Sequence, residues 1–198
     1  SPVGTCLATI ATLWICTSLN FRGPKITGYL SNFSAWGAIL PVAGLSLFGW
    51  FWFSPTLYVE SWNPNNVPFF SALSNSISMT LWAFLGLESA CANSEAVDNP
   101  EKNVPKAILG ATIGVAVIYI LSTNICAGIV DNASLVQSTA PFGLVFASMF
   151  NDTVGKIVIG MMVISCAGSL LSWQFTIAQV FKSLSDAKFF PSAFSKLT

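Results

Sequence analysis

The chain has 198 residues, 54% of them hydrophobic and only 8% charged, with eight basic and eight acidic side chains and a formal net charge of zero. A soluble domain carries about 25% charged residues, so the composition excludes a water-soluble globule and indicates an integral membrane protein. A balanced charge leaves no electrostatic footprint for nucleic acid, and the absence of histidine removes histidine metal sites and histidine pH switches from this chain.

A spanning helix needs about 20 mostly apolar residues. Five runs meet that length, at 3–20, 33–54, 70–92, 105–130 and 154–181. The chain opens on Ser1 inside an apolar run, without a signal-peptide pattern, and reads as a fragment of a longer membrane protein. Basic residues fall unevenly between the runs. Arg22 and Lys25 lie in 21–32, Lys102 in 93–104 with Lys106 just beyond, and Lys182, Lys188 and Lys196 in the tail 182–198. The connection 55–69 has none, and 131–153 is followed only by Lys156. Positive charge marks the cytoplasmic side, which places 21–32, 93–104 and 182–198 in the cytoplasm and the other two connections outside. That alternation agrees with five spans.

The second run ends in Gly49-Trp50-Phe51-Trp52-Phe53, an aromatic belt at the outer interface. Pro105 suits the first turn of the fourth run. Gly110-x-x-x-Gly114 in that run, and Ser165, Gly168, Ser169, Ser172 and Thr176 in the fifth, are small residues on one helical face, which read as packing seams. The five cysteines, Cys6, Cys16, Cys91, Cys126 and Cys166, are spaced too widely for a CxxC metal or redox site and read as small buried thiols.

The third run carries the chemistry. Glu88 is the one ionisable residue deep inside an apolar run. A carboxylate there costs about 2.5–3.5 kcal/mol on insertion scales and is a functional-site hypothesis by default. Trp82 and Glu88 are six residues apart, about 120° on a straight helix, and would not share a face. Gly86 between them weakens the helix by about 1 kcal/mol relative to alanine. A break at Gly86 would let both line one cavity, as broken helices do in transporters. Three readings of Glu88 compete: a counter-charge for a cationic substrate, a proton carrier with its pKa raised by desolvation, or a structural carboxyl paired with another helix. Trp82 and Trp173 are the tryptophans furthest from the predicted interfaces, with Trp14 also within a span. A tryptophan face attracts an ammonium by about 0.5–2 kcal/mol, and ordinary lipid or core packing is the other reading. Enzyme chemistry finds little support: there is no paired-carboxylate motif within a run, no histidine or cysteine ligand cluster and no Gly-rich loop before a helix. Asp98, Glu101 and Lys102 read as a solvated loop or a gate.

Five stretches carry a family resemblance: Trp82 to Ala90; Asp98-Asn99-Pro100-Glu101-Lys102-Asn103-Val104-Pro105; Ser138 to Gly143; Ser172 to Gln179; and Gly49 to Tyr58. Together they resemble the basic amino acid/polyamine antiporters of the amino acid–polyamine–organocation superfamily. The resemblance implies an all-α membrane protein in which these five transmembrane helices are helices four to eight of a twelve-helix, LeuT-like inverted-repeat transporter. It implies exchange of putrescine for ornithine across the cytoplasmic (inner) membrane, with lysine–cadaverine exchange, arginine–agmatine exchange and proton-coupled polyamine uptake as alternatives. A non-transporting scaffold or receptor is the rival from another class. Transferred onto this sequence, Trp82, Glu88 and Trp173 resemble substrate-recognition residues, with Gly86 and Ser89 beside them. The implied partners are small cationic substrates, the lipid bilayer and the remaining helices of the full-length protein; no cofactor and no oligomeric state are implied.

Overall fold

The computed structural model describes residues 2–87, 91 and 98–195. Among them it contains eight α-helices and no strand: α1 (Pro2–Asn20), α2 (Pro24–Phe48), α3 (Pro55–Trp62), α4 (Phe69–Phe84), α5 (Pro100–Ile129), α6 (Asn132–Gln137), α7 (Pro141–Met149) and α8 (Asp152–Asp186). Short 3₁₀ turns cover Gly49–Trp52 and Ser192–Ser195. Four segments of the described residues are long and apolar enough to cross a membrane: Val3–Asn20, Lys25–Trp52, Pro100–Ile129 and Asp152–Asp186.

The helix ends differ from the sequence expectation in instructive ways. The expected start at 33 is displaced to Pro24, because Pro24 supplies a first-turn proline and the polar residues after it find partners. Thr27 is 2% exposed and donates to Asn20 Oδ1 at 3.1 Å. The fourth expected run begins at Pro100 instead of 105, leaving Pro105 inside the helix. The third departs most: α4 stops at Phe84 after 16 residues, well short of the end of the apolar run 70–92. The connections expected at 55–69 and 131–153 are themselves partly helical, as α3, α6 and α7.

The described residues fall into two compact units, 1–40 with 160–198 and 41–159. In the first, α1 and the start of α2 pack on the second half of α8. A Cβ on Gly168 would overlap Ser34, and one on Gly37 would sit 2.5 Å from the Met161 carbonyl, so these glycines set the approach of α2 to α8. Ser31 donates to the Gly168 carbonyl at 3.4 Å. The small-residue seam expected on α8 is therefore present at Ser165 and Gly168 but rotated: Leu171 is 3% exposed, whereas Ser169 and Ser172 are exposed. The expected Gly110/Gly114 seam forms no close approach among the described residues. Of the cysteines read as buried thiols, only Cys16 is buried; Cys126 is half-buried, and Cys6, Cys91 and Cys166 are exposed. Faces that a membrane or further helices would cover account for that exposure.

The second unit has the larger core. Leu45, Ile125, Val130, Val145 and Met149 form a buried cluster. Gly49 lets the end of α2 close on Ile125, and Gly128 lets α5 accept the Phe53 ring against its backbone. Ser54 caps α3 and its own amide donates to the Gly128 carbonyl at 2.8 Å, while Tyr58 hydrogen-bonds Asn124, so α3 is pinned along α5. Asp131 caps α6 by accepting from the Ser134 amide at 2.8 Å, a bond that holds its exposed carboxyl below the usual carboxylate value. Asn151 caps α8 by accepting from the Val154 amide at 3.0 Å.

Candidate functional site

The end of α4 is the unusual feature of the second unit. Within the helix, Ser76 and Thr80 donate their hydroxyls back to the Ala72 and Ser76 carbonyls, each at 2.8 Å. These residues satisfy themselves locally and need no neighbouring helix. Leu85 is then extended, with φ −63° and ψ 137°, and Gly86 has φ +106°. Side chains disfavour that region and glycine does not, so the sequence places a break where the backbone requires one. α4 therefore ends where the sequence expects the helix to break.

Trp82 sits in the last turn of α4 and is 78% exposed. Directly after it, the Ala83 carbonyl accepts a hydrogen bond from the Tyr119 hydroxyl of α5 at 3.3 Å, and the Phe84 ring meets the Tyr119 ring edge-on with centroids 5.6 Å apart. Glu88 and Ser89, the remaining candidates of this stretch, lie outside the described residues. Trp173 belongs to the first unit, on α8, where it is 45% exposed.

The first unit contains a cleft of about 610 Å³ lined by Thr17, Asn20, Gly23, Gln174, Gln179 and Lys182, among others. Its wall is a hydrogen-bonded chain. Thr27 donates to Asn20 Oδ1; Asn20 Nδ2 donates to the Leu171 carbonyl at 3.3 Å and to Gln174 Oε1 at 3.2 Å; Gln174 Nε2 donates to Thr17 Oγ1 at 3.3 Å. Such a chain joins three helices without any charge. Lys182 is the one ionisable residue of the described lining, so the cleft has a single formal positive charge at one corner.

Neither this cleft nor Tyr119 is among the residues that the sequence singles out. The cleft joins residues more than 150 positions apart, such as Asn20 and Gln174, which no local pattern links. Tyr119 carries a signal: a phenol inside the aliphatic stretch Val115-Ala116-Val117-Ile118-Tyr119-Ile120-Leu121 needs a hydrogen-bond partner.

Residues 2–198 match the amino acid permease family. All 198 residues align at 65% identity with the putrescine transporter PotE of Escherichia coli (strain K12) and at 64% with the putrescine transporter PotE of Haemophilus influenzae. A cadaverine/lysine antiporter of Escherichia coli (strain K12) is 28% identical over 196 residues, or 99% of this chain. The chain covers 45%, 46% and 44% of these three proteins in turn, so it spans about half the length of the curated relatives it matches. The described residues are nearly all helical, with four apolar segments long enough to cross a membrane, which suits a multi-pass permease, and the chain belongs to the amino acid permease family.

Proposed function

We propose that the full-length protein carrying this sequence exchanges putrescine for ornithine across the cytoplasmic membrane by alternating access. The observation that carries this reading is the 65% identity, over every residue of the chain, to a protein named as a putrescine transporter, against 28% to a cadaverine/lysine antiporter. The broken α4 supports it physically. A helix interrupted beside an apolar-run carboxylate is how transporters expose polar groups at membrane depth.

In this reading Glu88 receives one ammonium of the diamine, and its charge replaces the hydration that the ammonium loses. Trp82 and Trp173 shape the pocket with their π faces. Gly86 permits the turn, and the small Ser89 leaves room. The segments 21–32, 93–104 and 182–198, which include the first turns of α2 and α5 and the last turn of α8, are cytoplasmic, following their lysines and arginine. Ornithine differs from putrescine by a carboxylate, and the Lys182 ammonium at the cleft suits that group.

Equilibrium binding of labelled putrescine to the purified full-length protein tests the site. Glu88→Gln should weaken binding by about ten- to a hundredfold, the range of a charge-assisted hydrogen bond. Wild-type affinity in that variant would remove Glu88 from the site. Lys182→Ala should weaken ornithine more than putrescine, and equal effects on both would remove the cleft from the ornithine path.

A further inference from the structure

We propose that Tyr119 is a positioning residue for substrate recognition, acting through the broken end of α4; the inference rests on the reading of Trp82 as part of the site. The last turn of a helix leaves carbonyls without intrahelical donors, and at membrane depth such groups need another partner. Tyr119 supplies one. Its hydroxyl reaches the Ala83 carbonyl at 3.3 Å and its ring meets Phe84 with an interplanar angle of 69°.

The two contacts fall on the last two residues of α4, next to the extended Leu85 and to Gly86 at φ +106°. They also fall on the residues directly after Trp82. The 3.3 Å contact is long for two oxygens, and the edge-on ring pair is what keeps the phenol over the carbonyl. Its sequence neighbours on α5, Ile118 and Ile120, are aliphatic, and the Ala83 carbonyl at the end of α4 is the acceptor its hydroxyl finds. The backbone that carries Trp82 is thus tied to α5 at the point where the chain turns, and Tyr119 need not touch the substrate.

The test uses the full-length protein in proteoliposomes. Tyr119→Phe removes the hydroxyl and keeps the ring pair; it should raise the KM for putrescine about three- to tenfold, the share of one hydrogen bond, with an unchanged maximal rate and melting temperature. A second readout does not depend on transport. Leu85→Cys, with the native cysteines replaced, should react with a membrane-permeant maleimide several-fold faster when combined with Tyr119→Phe. Raised KM with faster labelling supports the proposal. An unchanged KM beside active wild type, or unchanged labelling, overturns it. If wild type itself moves no putrescine, the substrate reading fails, and the labelling rate alone decides whether Tyr119 holds the break.

Discussion

A single carboxylate in an apolar run has to be matched by something, and the basic residues that fall within the spans, Lys106 and Lys156, sit at their very ends. Charge and hydropathy therefore make Glu88 a candidate for a cationic substrate, beside the readings as a proton carrier and as a structural carboxyl. The consequence is steep: Glu88→Asp, which keeps the charge but retracts it by one methylene, should lose less putrescine affinity than Glu88→Gln. Equal losses would point to shape rather than charge. Asp131 behaves differently, because its carboxylate only caps α6. Its pKa lies below the ordinary value of 3.8 in the folded protein, through the Ser134 amide. A lowered folded pKa stabilises above the unfolded value and loses that contribution as pH falls through the folded one. The advantage of wild type over Asp131→Asn should therefore be full above pH 3.8 and shrink below it. Thermal unfolding of both proteins across that acid range checks the sign. Glu88 is legible in the sequence because it violates the hydropathy pattern around it. Tyr119 is harder to see, because an aromatic residue in an apolar helix breaks no pattern until its acceptor on another element is known.

Elements are legible where local chemistry dictates them. Gly86 in an otherwise apolar run marks the break, and the left-handed backbone lies there. The start of α2 escapes a hydropathy reading for a physical reason: hydropathy treats Thr27, Ser31 and Ser34 as loop residues, whereas all three are packed or hydrogen-bonded against α1 and α8. The seam on α8 is legible but its rotation is not, since small size marks both packed and open positions. Two tests belong here. Gly86→Ala forces a side chain into φ +106° and should cost about 1–3 kcal/mol of stability or straighten the break. A melting temperature and maleimide labelling at position 85 equal to wild type would contradict it. Gly168→Ala should cost about 1–3 kcal/mol by overlapping Ser34. Adding Ser34→Gly should restore most of that loss, and a strictly additive double mutant would show that the two residues do not share the contact.

At the scale of the whole molecule, the class of protein follows from composition alone, because 8% charge in 198 residues cannot coat a soluble surface. The exposed aromatic and aliphatic side chains of α1 and α4, such as Trp14 at 68% and Phe70 at 82%, suit hydrocarbon or further helices. Substrate choice is another matter. Putrescine and cadaverine differ by one methylene, worth about 1–3 kcal/mol in a fitted pocket, and no residue pattern in the chain separates them. The proposal of putrescine rests on the contrast between 65% identity to a putrescine transporter and 28% to a cadaverine/lysine antiporter. The most direct test of the account is counterflow in proteoliposomes containing the full-length protein: labelled putrescine outside, unlabelled ornithine, lysine or arginine inside. Ornithine loading should drive rapid uptake of putrescine, lysine and arginine loading should drive little, and Glu88→Gln should abolish the flux. Equal uptake into ornithine-loaded and empty vesicles, or faster uptake against lysine, would contradict it.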